Sequence, residues 1–195
     1  MIESVSLCTD KSSVLVCTDR GGAMANLLVM ISTASILLCG AIFGFFYAWV
    51  CSTMWGLDQA DPRVAIAAMQ AMNASVRNIT FFPAFFLTPV ALALTALALF
   101  LFRQRQAACW FMAAAVIYAA FGLGLTMLVN VPMNEALAKV SPVPSDIDAA
   151  RDIWAGYSGR WQVWNQVRTV ASGLALACAA FGLTRLQFTG PKAGS

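Results

Sequence analysis

One arginine at the mouth of a membrane-length apolar run offers more chemistry than any other residue in this sequence. Arg168 closes the stretch Trp161-Gln-Val-Trp164-Asn165-Gln-Val-Arg168, and apolar sequence follows it to Leu183. At 3.6 residues per helical turn, Trp161, Asn165, Arg168 and Ser172 stand at i, i+4, i+7 and i+11, on one face. A planar cation beside an amide can grip an anionic ligand through paired N–H bonds. An ionisable side chain at membrane depth costs roughly 2.5–3.5 kcal/mol on insertion scales, so it turns toward a partner or a wet cavity. A second reading makes the same residues an interfacial belt, with tryptophans at the headgroups and the arginine snorkelling to them.

Other polar residues could join that face. Asn130 and Asn134 flank Pro132 in Asn130-Val131-Pro132-Met133-Asn134, where the proline is expected to break a helix. They either cap loose backbone groups there or face the same pocket as Asn165. Gln70 and Asn73 share a polar side with Arg77, opposite Ala65, Met69, Met72 and Val76, on a helix that lies along the interface or folds over the bundle mouth. Tyr47 continues the face of Gly40 and Gly44, a small-xxx-small pair expected to pack closely on another helix; the alternative is that Tyr47 points its hydroxyl into an internal pocket.

The elements that must position these residues follow from composition. Of 195 residues, 60% are hydrophobic and only 11% charged, which marks an integral membrane protein. The length holds four spans of roughly 20 residues with modest loops, an all-α four-helix transmembrane bundle, and is too short for an alternating-access transporter built from repeats. The net charge of +3 is small and its lysines and arginines are dispersed, so no nucleic-acid partner is expected. There is no histidine, which removes His-ligated haem, the two-His-one-carboxylate iron site and nearly every catalytic zinc arrangement. Neither a metal nor another cofactor is expected. The six cysteines form no C-x-x-C pair and read as small hydrophobes.

Residues 1–23 are polar, broken by Gly21-Gly22 and without the basic-then-apolar build of a signal peptide, so they read as a disordered extension, with Met24 expected as the true initiator. The membrane domain is expected over 24–186 and a tail over 187–195. Spans are expected at 25–50, 81–102, 108–129 and from Trp161 to Leu183. Asp61-Pro62 supplies an N-cap with proline at the first helical position. Pro83 and Pro89 free carbonyls in the second span, and Thr88 could satisfy one. Ser145 with Asp148 resembles a capping box opening a short helix to about Tyr157, with a bend at Gly156 and Gly159 before the fourth span. The acid-free hairpin Arg103-Gln104-Arg105 opposes longer, aspartate-bearing loops, which places both termini in the cytoplasm, in the cytoplasmic membrane.

With these motifs in order, the chain resembles the anthrone oxygenase-like family of small four-span membrane proteins. The resemblance rests on Gly44-Phe45-Phe46-Tyr47-Ala48, Met69-Gln70-Ala71-Met72-Asn73, Asn130-Val131-Pro132-Met133-Asn134 and Trp161-x-x-Trp164-Asn165-x-x-Arg168, and it runs from about Met24 to Leu183. It implies oxidation of an anthrone to an anthraquinone by dioxygen without an evident cofactor. Such chemistry needs a proton removed and an anion stabilised. Arg168, Asn165, Asn130 and Asn134 could supply donors, Trp161, Trp164 and Tyr47 could flank a flat apolar ligand, and Gln70 and Asn73 could line its site. Glu135 is the carboxylate nearest the asparagines, though a substrate acidic enough to ionise needs no base.

Two functions compete at this point. One is a membrane oxidoreductase, a monooxygenase acting on a hydrophobic aromatic or quinone-like molecule. The other is a non-catalytic membrane protein that binds a lipophilic ligand or a partner protein. Expected partners are a hydrophobic small molecule and the lipid bilayer, with a homo-oligomer left open. Convergence of the named polar residues on one cavity would favour the enzyme.

Overall fold

Four helices long and apolar enough to cross a bilayer carry the chain: Gly22–Gln59, Phe81–Leu101, Arg105–Ala138 and Ile147–Leu183. The structure, a computed structural model, describes residues 11–187, with side chains from residue 22 onward. No strand occurs among the described residues. The protein is an all-α integral membrane protein. Its helices are α1 (Lys11–Ala48), α2 (Met54–Gln59), α3 (Pro62–Ser75), α4 (Phe81–Leu101), α5 (Arg105–Ile117), α6 (Val131–Ala138) and α7 (Ile147–Leu183). Wide π turns over Trp49–Thr53, Tyr118–Gly124 and Thr126–Asn130 join α1 to α2 and α5 to α6.

Among the described side chains of α1 and the first residue of the π turn after it, the buried ones are Leu28, Ser32, Ser35, Cys39, Ile42, Phe46 and Trp49. They recur at alternating steps of four and three, the spacing of a knobs-into-holes seam. That seam turns Gly44 and Tyr47 outward, so the close packing expected there is absent: a Cβ on Gly44 would touch nothing within 4 Å. The close approaches fall on α7 instead, where a Cβ on Gly173 would lie 3.0 Å from Phe43 and one on Gly182 would lie 2.9 Å from Phe111.

Two hydrophobic cores divide the molecule. The first lies inside the four spans and centres on Phe85, Leu92, Leu99, Phe111 and Tyr118. The second lies at one end of the bundle, where Trp49, Met54, Ile66, Met69, Leu137, Trp154 and Trp161 join α2, α3, α6 and the first half of α7 into a helical cap. At a rise of 1.5 Å per residue, the 37 residues of α7 reach about 55 Å, well beyond a hydrocarbon layer of about 30 Å. The cap is where the excess length packs.

Several boundaries differ from expectation. No bend separates a short helix from the fourth span, because Trp154, Tyr157 and Trp161 bury one stripe straight across Gly156 and Gly159. The N-cap of α7 is Asp146, which accepts from the amide of Ala149 at 2.7 Å, and not Ser145. Pro132 does not end its helix: the π turns before it shift the hydrogen-bond register, and α6 continues to Ala138 with the proline in its first turn. Thr88 bonds the Ala84 carbonyl at 2.5 Å, whereas the Phe85 carbonyl, four residues before Pro89, is taken by the Tyr118 hydroxyl at 3.1 Å. Cys39 is buried, but Cys51 and Cys109 are exposed, so the uniform reading of cysteines as buried hydrophobes fails for those two.

Other local expectations are met. Asp61 caps α3 by accepting from the Arg63 amide at 2.9 Å. The Arg63 guanidinium and amide bonded to it hold its carboxyl at about 2, below the usual value of 3.8. Between α4 and α5, Gln104 N–H bonds Leu99 O and Arg103 N–H bonds Phe100 O, a Schellman end with Arg103 at φ 65. At the N-terminus, α1 begins at Lys11, inside the segment expected to be disordered, because an existing helix extends at one bond per residue fixed. Residues 1–10 of that extension, and all but the first residue of the tail 187–195, lie outside the described residues.

Candidate functional site

The stripe of α7 that buries Trp154, Tyr157 and Trp161 in the cap continues into the bundle as Asn165, Arg168 and Ser172. Arg168 therefore sits at the seam between the two cores, only 5% exposed. Its Nε donates to Asn165 Oδ1 at 2.9 Å and one terminal nitrogen donates to Thr126 Oγ1 at 3.3 Å. Asn165 Nδ2 donates to the Phe46 carbonyl at 3.2 Å, and Thr126 Oγ1 donates to the Gly122 carbonyl at 2.6 Å. The guanidinium carbon lies 4.4 Å from the centre of the Phe46 ring and 5.0 Å from that of Trp161. Such cation–π contacts contribute about 2 kcal/mol each when desolvated, a partial offset to the several kcal/mol that burying the charge costs. Among the described residues no carboxylate pairs with this cation; the ion pairs are Arg63–Asp61, Arg77–Glu135 and Arg151–Asp148.

Arg168 forms part of the wall of a cavity of about 790 Å³ at that seam. The cavity is mostly apolar, walled by Phe45, Phe46, Trp49, Phe81 and Phe85 and by Trp161. Its polar lining includes Asn73, Thr126, Asn134 and Glu135. Volume and lining suit an apolar organic ligand, to which Arg168 offers one cation.

A second polar knot holds the cap over this cavity. Asn134 Oδ1 accepts from Tyr157 Oη and from Trp161 Nε1, both at 2.8 Å, and Asn134 Nδ2 donates to Asn73 Oδ1 at 3.0 Å. An indole N–H can only donate, so Trp161 fixes which end of the Asn134 amide faces α7. One amide thereby ties α3, α6 and α7 together. Asp58 on α2 adds a parallel tie, accepting from Trp154 Nε1 at 2.9 Å, Ser158 Oγ at 2.6 Å and Gln162 Nε2 at 2.8 Å.

Of the residues singled out in the sequence, Arg168, Asn134, Asn73 and Trp161 meet at the cavity wall, and Asn165 stands directly behind Arg168. Four others do not line it. Asn130 is fully buried with both side-chain polar atoms unpartnered among the described residues. Gln70 donates to the carbonyls of Leu137 and Val140, both at 2.9 Å, and serves as a cap for the end of α6. Tyr47 and Trp164 face outward, 50% and 36% exposed, because each lies off the buried stripe of its helix. Glu135 stands at the rim, 3.6 Å from Arg77.

Sequence reasoning missed Thr126, Tyr157 and Asp58. Thr126 falls every fourth residue with Tyr118, Gly122 and Asn130, and it opens the π segment that faces Arg168. Tyr157 stands at i−4 from Trp161 and extends the polar face upstream, a signal hidden by the expected bend. Nothing local marks Asp58.

A comparison with curated proteins and one with solved structures gave no match. The family profile for anthrone oxygenase matches residues 76–178, from the end of α3 to late in α7. The match is shorter than the stretch from Met24 to Leu183 suggested by the motifs, and two of those motifs lie before it. It still covers more than half of the 195 residues and includes Thr126, Asn134, Trp161, Asn165 and Arg168, so the chain belongs to the anthrone oxygenase family.

Proposed function

We propose that the protein is a membrane oxygenase that oxidises a lipophilic hydroxyaromatic methylene, of the anthrone type, to the ketone with dioxygen. The reading is supported chiefly by one observation: a buried guanidinium without a carboxylate partner among the described residues, set in an aromatic cavity. In such a reaction the methylene, conjugated through the fused rings with the ketone across the central ring, loses a proton to give a delocalised anion whose charge rests largely on the ketone oxygen. Arg168 stabilises the negative oxygen, held toward it by Asn165 and Thr126. The ring carbon then attacks dioxygen to form a peroxide. Loss of water from that peroxide leaves the new carbonyl, so that one methylene and one dioxygen give one ketone and one water. The rings of Phe46, Trp49 and Trp161 exclude bulk water, which strengthens the ion–oxygenate interaction. In this reading the proton goes to Glu135, a carboxylate in the cavity lining.

The orientation we propose has both termini and the Arg103–Arg105 hairpin in the cytoplasm, and the cap on the far side of the cytoplasmic membrane. The test of function is oxygen uptake by the purified protein in lipid nanodiscs with 1,8-dihydroxyanthrone, with product identified by absorbance. Uptake that exceeds the protein-free rate and yields the anthraquinone at one dioxygen per molecule supports the reading. Stoichiometric binding of the probe with no excess uptake would point instead to a ligand-binding protein.

A further inference from the structure

The cavity wall is not closed on the side that faces lipid. α4 packs along α5 and along the Tyr118–Gly124 turns, but neither the Thr126–Asn130 turns nor α6 packs closely against it. The two elements part toward the cap end. In the cleft between them, the cavity lining includes Phe82, Phe86 and Met127, which are 41%, 39% and 44% exposed. Phe82 and Phe86 lie in the first turns of α4, inside an apolar stretch long enough to span the membrane. At that end of a span the outer side of the helix meets the upper part of the bilayer. The aqueous end of the cleft, by contrast, is crossed by the Arg77–Glu135 pair, which joins the loop before α4 to α6.

We infer that the cleft between the start of α4 and the Thr126–Val131 segment is a lateral portal, through which a ligand dissolved in the bilayer reaches Arg168 without passing through water. Its occupant is the molecule of the proposed function, a lipophilic hydroxyaromatic with an acidic oxygen, and the inference rests on that reading. The polarity of the path argues for this occupant. The outer end is aromatic and thioether, matched to lipid-soluble rings. The inner end is one cation without a carboxylate partner among the described residues, matched to one negative oxygen. A ligand thus moves from hydrocarbon to a charge-assisted hydrogen bond, and an apolar substituent on its far side can remain among the acyl chains. A water-borne ligand would instead have to part the Arg77–Glu135 pair.

Plugging each end separately tests the portal. In a full-length background with the native cysteines replaced by alanine, Met127→Cys and, independently, Phe86→Cys are alkylated with a bulky, non-fluorescent, lipid-soluble maleimide. Leu94→Cys, outward on α4 and away from the cavity, is alkylated in the same way as a control, and Arg77→Cys is labelled with a bulky charged maleimide. Binding of 1,8-dihydroxyanthrone to each protein in nanodiscs, kept anaerobic, is followed after rapid mixing by quenching of the tryptophan fluorescence, since Trp49 and Trp161 line the cavity. The expected result is that alkylation at Met127→Cys or at Phe86→Cys slows quenching by roughly tenfold or more, while the label at Leu94→Cys leaves it unchanged and the label at Arg77→Cys slows it far less than either cleft label. Slowing by the label at Arg77→Cys, with unchanged rates for the two cleft variants, would overturn the portal in favour of an aqueous mouth. Absence of quenching in the unlabelled protein would overturn the ligand reading itself, and the portal with it. Normal equilibrium quenching without oxygen uptake would leave the portal supported and sink only the catalytic step.

Discussion

Arg168 and Asn134 have different tasks, and the difference can be measured. Asn134 is a structural knot: its one carbonyl oxygen satisfies two buried donors from α7 and its amide reaches α3. Tyr157→Phe removes a single donor and is expected to cost about 1 kcal/mol, whereas Asn134→Ala strands the Trp161 and Tyr157 donors together and is expected to cost roughly 2–4 kcal/mol. Thermal unfolding in detergent, read by intrinsic fluorescence, should rank the two in that order. Equal losses would mean that Tyr157 alone holds the cap. These residues also show which features of the site are legible in the sequence. The face Trp161, Asn165, Arg168, Ser172 was legible because helical periodicity converts spacing directly into direction, and all four are buried. Tyr47 and Trp164 were misplaced because residue type, not position on the buried stripe, suggested them. Asn134 was found without its partners, since no periodicity relates residues on three different helices.

At the scale of elements, the helices bend the usual rules where the cavity needs room. Pro89 withholds the amide that the Phe85 carbonyl would otherwise accept, and the Tyr118 hydroxyl, from the start of a π segment, replaces it at 3.1 Å. This predicts a coupling. Tyr118→Phe should destabilise the protein by roughly 1–2 kcal/mol with Pro89 in place, and by much less in a Pro89→Ala background, where the helix supplies its own donor. Additive losses in a double-mutant cycle would contradict the exchange. The hairpin offers a second check, because Arg103 occupies the left-handed position at φ 65 that glycine fits best. Arg103→Gly is expected to raise stability by roughly 0.5–1 kcal/mol, visible as a higher unfolding temperature; a lower one would show that its side chain holds the turn. Span number and approximate limits could be read from composition and length, but the π turns could not, because they arise from packing between helices and not from local preference. The same applies to the continuous α7, whose glycines suggested a bend that the aromatic stripe overrides.

At the scale of the whole molecule, a transmembrane bundle and a helical cap meet at a cavity, and the excess length of α7 joins them. The cap and the hairpin lie at opposite ends, so the proposed orientation exposes them to opposite compartments. Single cysteines at Gln106 and Ser145, in a cysteine-free background, should react oppositely with a membrane-impermeant maleimide added to intact cells, with only Ser145→Cys labelled. The reverse pattern would invert the topology while leaving the cavity intact. The cap itself was only partly foreseen. The amphipathic α3 was readable as a helix folded over the bundle mouth, but the joining of α2, α6 and α7 to it depends on Asp58 and Asn134, whose partners are distant in sequence.

The central claim is that Arg168 acts through the geometry of its guanidinium on an anionic oxygen, and one substitution separates that from a membrane anchor. Arg168→Lys keeps the charge and a long stem but loses the planar fork that bonds Asn165 and Thr126 while leaving donors for a ligand. Oxygen uptake with 1,8-dihydroxyanthrone in nanodiscs is the measurement, with unfolding temperature recorded on the same samples. The lysine variant is expected to insert and unfold close to the wild type yet lose about 100-fold in turnover. Full turnover in Arg168→Lys would contradict the account.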